Sequence, residues 1–204
     1  MKRIHVILVT LLAIGGLILA LLSSVRTHGF SARTEPSAIE AFVARKVRSL
    51  AVPRKERQAM NPIATSPDVL SEAMEHFADH CAVCHANDGS GDTTIGKGLS
   101  PKPPDMRLVG TQSQTDGELY YVIHNGIRFT GMPAFGEDEA GKPDEDSWKL
   151  VHFIRHLPKI TQEEVHAMKK MNPKSPADLA EEEQIRRFLA GEDSPQGGPT
   201  HHQH

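Results

Sequence analysis

Cysteine is scarce in this chain of 204 residues: only Cys81 and Cys84 occur, and no second C-x-x-C accompanies them. A structural zinc site draws more Cys or His ligands at paired spacings, so that reading is short of ligands. A thioredoxin-like redox pair sits beside a βαβ pattern, and none is present. Aromatic residues amount to 5%, with Trp148 the single tryptophan, so few large rings are available to fill a core. Charge of one sign is also missing. A formal net charge of -3 with 24% charged residues carries no cationic excess, which argues against nucleic-acid binding. No internal repeat is found.

What is present is specific. Cys81-Ala82-Val83-Cys84-His85 is C-x-x-C-H, the attachment pattern of c-type haem. Two intervening residues let both sulfurs reach the two haem vinyl groups from one helical turn, and the next residue then lies under the iron. A large flat cofactor also makes the low aromatic content tolerable. Upstream, Val69, Leu70, Ala73, Phe77 and Cys81 recur at three- and four-residue steps. That spacing predicts one amphipathic helix, starting near Ser66-Pro67-Asp68 and running into the motif. His76 and His80 lie on it and read as polar surface residues rather than further ligands.

After His85 comes a glycine-rich turn, Asn87 to Asp92, then a segment holding Pro101, Pro103 and Pro104. Prolines in that number forbid a helix and leave carbonyls free to accept. A haem-ligating histidine gives its other ring N–H to a backbone carbonyl; one of these three prolines is the natural acceptor, and spacing leaves the choice open. A helix is expected over Asp116–Asn125, ended by Gly126. Met132 follows in a loop between Gly131 and Pro133, where core packing is a poor explanation, and a thioether is a soft sixth ligand for haem iron. Met106 and His124 rank below it as structural residues. A last helix of the domain is expected from Asp146 to Leu157, carrying Trp148, Val151, Phe153 and Ile154. The acidic residues Glu137-Asp138-Glu139 and Asp144-Glu145-Asp146 before it either steer a basic partner or form a solvated loop with carboxylates at a helix N-terminus.

The chain opens with Met1-Lys2-Arg3 and an apolar run from Ile4 to Leu22. About 19 helical residues span roughly 28 Å, close to the hydrocarbon thickness of a bilayer. The run is long and no A-x-A-like site follows it, so an uncleaved anchor is favoured over a removed signal. Basic residues flank it on both sides, and charge orients it weakly. Between Thr27 and Pro67, Ser37 can cap a helix bearing Ile39, Phe42, Val43, Val47 and Leu50. Arg45, Lys46 and Arg48 lie on the same stretch, with Arg54, Lys55 and Arg57 beyond Pro53. Such a helix either rests on anionic lipid or a membrane partner, or packs against the following domain; the second is preferred because the segment is short.

Residues from about 68 to 158 resemble a class I monohaem cytochrome c of the bacterial membrane-anchored kind. The resemblance rests on Cys81-Ala82-Val83-Cys84-His85, the proline-rich segment, Gly126-Ile127-Arg128-Phe129-Thr130-Gly131-Met132-Pro133-Ala134-Phe135, and the helix containing Trp148. It implies an all-α fold whose first and last helices cross around one covalently bound haem c. It further implies thioethers from Cys81 and Cys84, axial ligands His85 and Met132, Pro104 as the proline that orients the histidine, and electron transfer rather than catalysis.

The expected organisation is an N-terminal transmembrane anchor over 1–25, a basic connector over 26–67, a haem domain over 68–160, a helical extension over 161–191 and a histidine-rich tail over 192–204. In the extension, Thr161-Gln162-Glu163-Glu164 is a capping-box pattern, and Ser175-Pro176 opens a helix bearing Leu179, Ile185, Phe188 and Leu189. In the tail, His201, His202 and His204 offer imidazoles to a divalent metal. The functional expectation is an electron carrier of the bacterial inner membrane, its haem domain in the periplasm, exchanging electrons with a respiratory complex or oxidase. Two alternatives are kept: a haem-based sensor in which a small ligand displaces Met132, and an accessory haem subunit of a larger respiratory enzyme.

Overall fold

The computed structural model describes residues 2–29, 31–136, 144–174 and 176–190. Among these residues every regular element is helical and there is no strand. The acidic run Glu137-Asp138-Glu139 and the tail histidines His201, His202 and His204 lie outside the described residues.

The first helix, α1 (Lys2–His28), is apolar and exposed along nearly its whole length. Its Arg3–Thr27 stretch is long and apolar enough to cross a membrane. Inside it the Thr10 hydroxyl donates to the Val6 carbonyl at 2.9 Å, which hides a polar group that lipid could not satisfy. The next helix, α2 (Ala38–Ala51), opens where Ser37 Oγ accepts from the Glu40 amide. A short α3 (Arg54–Arg57) follows Pro53.

Ser66 caps α4 (Pro67–His76) by accepting from the Val69 amide at 3.1 Å, with proline in the first turn. The expected single helix into the motif is interrupted. Phe77–Cys81 winds as a π turn before α5 (Ala82–His85). A π turn takes in extra chain, so it rotates the motif relative to the face of α4 that packs on the core. Packing fixes it: Phe77 and Ala78 are buried, and the Phe77 ring lies 4.9 Å from that of Phe153. Two short helices follow, α6 (Thr94–Gly98) and α7 (Val109–Gln112). Then comes α8 (Asp116–Asn125), opened by a complete capping box between Thr115 and Glu118.

The core is closed by α9 (Glu145–His156), which packs on α4 and on α8. This is the pairing of first and last domain helices that the resemblance implies. Trp148, Leu150, Val151, Phe153 and Ile154 of α9 are buried, against Ala73 and Phe77 on one side and Leu119 and Ile123 on the other. Tyr120 stacks on Trp148 at 4.1 Å between ring centroids. A 3-10 turn (Leu157–Lys159) leads to α10 (Gln162–Met168), opened by the expected capping box at Thr161, and then to α11 (Pro176–Leu189).

Packing reaches beyond the sequence-based limits of 68 and 160. Val52 is buried, α3 packs on α8, and Thr115 donates its hydroxyl to the Arg57 carbonyl at 2.7 Å. Asn61 Nδ2 donates to the Trp148 carbonyl at 2.9 Å, and His152 Nε2 donates to the Ile63 carbonyl at 2.8 Å. At the other end Met168 of α10 is fully buried in the same core. The last part of the connector and the first helix of the extension are therefore walls of the domain. By contrast, Leu179, Ile185, Phe188 and Leu189 of α11 stay exposed.

Candidate functional site

The pentapeptide is built by α5 and by a sharp reversal after it. Ala86 takes φ 60 and ψ 156, a conformation that a side chain normally avoids and that costs about 1–3 kcal/mol. The reversal lets the following loop fold back on the motif. The Gly91 amide donates to the His85 carbonyl at 2.8 Å, and the Thr93 hydroxyl donates to the Cys84 carbonyl at 3.3 Å. Gly91 itself has φ +74, and a Cβ there would stand 2.8 Å from the Pro103 carbonyl oxygen, so only glycine fits. Thus the proline-rich segment is laid against the motif loop through Pro103. Farther along, the Met106 amide donates to the Gly89 carbonyl at 2.8 Å. Arg107 grips Asp105 through Nε and Nη2 at 2.9 and 2.7 Å and reaches Asp88 through Nη1 at 2.9 Å. Those bonds from Arg107 hold the Asp105 carboxyl below the usual carboxylate range.

Cys81, Cys84 and His85 are all half-buried, and neither thiol is in a disulfide. Desolvation, with a smaller push from Cys84, raises the Cys81 thiol to about 12. A thiol that stays protonated at neutral pH is a poor redox nucleophile, which weighs against a thioredoxin-like pair. Burial pushes His85 below the usual imidazole range, which leaves the ring neutral, the form that coordinates a metal. Its Nδ1 is buried with no hydrogen-bond partner. An orphaned buried ring nitrogen costs about 1–3 kcal/mol, and this histidine shares a motif with two unpaired thiols. The donor set fits a covalently held haem: two sulfurs for thioethers and one neutral imidazole for iron. Pro104 is exposed and Pro103 half-buried; no hydrogen bond joins His85 to either.

Met132 is half-buried in the loop between α8 and α9. That loop is closed by backbone bonds and one side chain. The Ile127 amide donates to the Met132 carbonyl at 3.0 Å. The Thr130 hydroxyl donates to the Ile127 carbonyl at 2.8 Å and accepts from the Met132 amide at 3.1 Å, so it pins the methionine from both sides. Gly126 starts the loop at φ +66, where a Cβ would fall 2.8 Å from the Met132 carbonyl oxygen and 2.6 Å from the Ala134 nitrogen. Phe129 also takes a positive φ, of 62, and its side chain is 93% exposed. The side chain of Leu99, just past α6, lies where a Cβ on Gly131 would stand, so the motif loop and the methionine loop meet there.

The lower-ranked candidates have other occupations. Met106 is buried in the core, and the Gln112 amide donates to its carbonyl at 2.7 Å. His124 pairs through Nδ1 with Asp144 at 2.8 Å and stacks on Tyr120. His76 and His80 meet edge to face at 4.8 Å, with His80 beside Asp79. Among the described residues no group of three or more His, Cys, Asp or Glu is placed to hold a metal ion. Sequence reasoning missed Thr130, Thr93 and the Asp105–Arg107–Asp88 network. A threonine two residues before a candidate ligand was the available signal for the first.

A family model described as cytochrome c oxidase, cbb3-type, subunit III matches residues 68–154. No curated protein matches the chain. Such a domain implies haem-based electron transfer and points to an electron carrier rather than a catalyst. The helical frame, the paired thiols with their adjacent histidine and the matched segment coincide: this stretch of the chain is a class I c-type cytochrome domain.

Proposed function

We propose that the chain is a membrane-tethered electron carrier holding one haem c, bound through Cys81 and Cys84 and ligated by His85 and Met132. When bound, the haem supplies a one-electron Fe(III)/Fe(II) couple, and a histidine–methionine pair raises its potential relative to other axial pairs. The chain's own residues do the rest. The His85 imidazole is neutral and ready to bind iron without losing a proton. A backbone carbonyl of the Pro101–Pro104 segment, with Pro104 favoured by the resemblance, would accept a hydrogen bond from the Nδ1–H and orient the ring. Thr130 holds the Met132 backbone so that its thioether is presented from a closed loop. With both His85 and Met132 holding it, the haem would be suited to electron transfer rather than to substrate binding.

The tether is α1, with the haem domain on the periplasmic face of the inner membrane, where haem is attached to such motifs. The partner is an oxidase-type respiratory complex, as the subunit name of the matching family suggests. The observation that carries the reading is the C-x-x-C-H motif at α5, two thiols outside any disulfide beside the His85 imidazole. The test is the optical spectrum of the matured, oxidised protein. The weak far-red band of sulfur on ferric haem is expected, and Met132→Ala should abolish it and lower the potential. Its persistence in that variant would remove Met132 from the ligand set. A denatured band without haem stain would sink the whole reading.

A further inference from the structure

The apolar stripe of α2 has no partner among the described residues. Ile39, Phe42, Val43, Val47 and Leu50 follow one another at helical spacing, and each keeps 51–80% of its surface exposed. One exposed leucine is ordinary, but five large apolar side chains on one face are a binding surface. The preferred sequence-based expectation, a helix packed against the haem domain, is overturned by this exposure. Contact with the core begins only after α2, where Val52 is buried.

Three features say what covers the stripe. The first is reach. Only residues 29–37 separate α1 from α2, about 30 Å at full extension, so the bilayer is always within range of the stripe. The second is charge. Arg45, Lys46 and Arg48 belong to α2 and Arg54 and Lys55 to α3, against Glu40 and Glu56 as the acids of the two helices. A cationic amphipathic helix next to a spanning segment suits anionic headgroups. The third is Lys46, which falls inside the stripe, four residues from both Phe42 and Leu50, with its Nζ 5.8 Å over the Phe42 ring. A long cationic side chain laid along apolar surface can carry its charge up to the headgroups while its stem stays in contact with lipid.

We infer that α2 docks on the surface of an anionic bilayer, its stripe sunk to the acyl boundary and its basic residues among the phosphates. The inference rests on α1 spanning that same membrane. Docking then fixes the height and tilt of the haem domain, because α2 ends one residue before the buried Val52. The face would present the site to a membrane-bound redox partner from a constant side.

The test uses the full haem-loaded chain in nanodiscs of phosphatidylcholine mixed with phosphatidylglycerol. With the native thiols consumed in thioethers, a single introduced cysteine takes a spin label. Labels are placed by Val43→Cys on the stripe, Ala44→Cys away from it and Ile14→Cys in α1. Each label's collisions with lipid-soluble oxygen and with a water-soluble nickel chelate are compared. Oxygen should dominate at 43, as at 14, and the chelate at 44. Lys46→Gln should shift the balance at 43 about fivefold toward the chelate, since each basic residue near an anionic surface adds an increment of that order. A chelate-dominated label at 43 with an oxygen-dominated one at 14 overturns the docking alone. Exclusion of both probes at 43 means that a protein face covers the stripe, and it too overturns the docking. A wet label at 14 removes the anchor and the docking together.

Discussion

The two loops that carry the candidate iron ligands are built differently. The histidine side is interlocked at many points: the His85 and Cys84 carbonyls accept from Gly91 and Thr93, Pro103 leans on Gly91, and Arg107 joins Asp105 to Asp88. The methionine side is closed by backbone bonds, to which Thr130 adds the one side-chain hydroxyl that reaches Met132, and it holds its most exposed aromatic ring, Phe129, in a strained conformation. The contrast teaches that one candidate ligand is held by several side-chain ties and the other mainly by backbone bonds and one hydroxyl. A side that must never release its cofactor suits the first design.

The largest effect that would break this contrast is expected at Gly91. Gly91→Ala forces a side chain onto the Pro103 carbonyl at a positive φ and should cost about 2–4 kcal/mol, read as a lowered denaturation midpoint. An effect under about 0.5 kcal/mol would mean that the motif loop is not interlocked. Thr130→Ala comes next. It leaves the Met132 amide without its acceptor and should cost about 1–2 kcal/mol. Its sharper signature is local, since hydrogen exchange should quicken at Met132 while the amide of Gly91 keeps its protection. Equal acceleration at both sites would erase the distinction.

The smallest effect is acid titration of the histidine side. The folded carboxyl of Asp105 lies below its ordinary value because of Arg107, so its stabilisation is complete above the unfolded pKa, about 3.9. It is lost as pH falls from there through the lower folded value. The groups are partly solvated, so the change should stay under about 1 kcal/mol. Melting temperature measured from neutral pH downward should fall less steeply in Asp105→Asn than in the parent. Asp144 behaves in the same sense on the methionine side. Burial raises its carboxyl, but hydrogen bonds from Ser147 and His124 outweigh that and bring it below normal. A parent and an Asp105→Asn variant with parallel acid limbs would show that Arg107 contributes nothing to the interlock.

Much of this was legible in the chain because local chemistry dictated it. Ser66 before Pro67, the capping box at Thr161 and the glycine at 126 each mark a helix end for reasons internal to a few residues, and the structure has them. Trp148, Val151, Phe153 and Ile154 were legible as the apolar positions of a helix, and all four are buried. The π turn at Phe77–Cys81 was not. Spacing of four between Phe77 and Cys81 suits an α-helix equally well, and only packing against Phe153 decides between them. Nor could spacing reveal that Val52 and Met168 belong to the core, since their partners lie far away in sequence. Within the site, the motif announces its three residues, but the loop that supports Met132 depends on a hydroxyl whose partners only the folded backbone brings together.

Val52 has a mechanical consequence. Sealed in the interior directly after α2, it makes the domain end of the tether a stiff pivot instead of a free swivel. With α1 as the proposed anchor, the leash is the stretch between α1 and α2, where Glu35 pairs with Lys102 of the domain. Glycine–serine spacers inserted there should enlarge the volume swept above the membrane, whereas spacers placed beside Pro53 should first pry open the seam between α3 and α8.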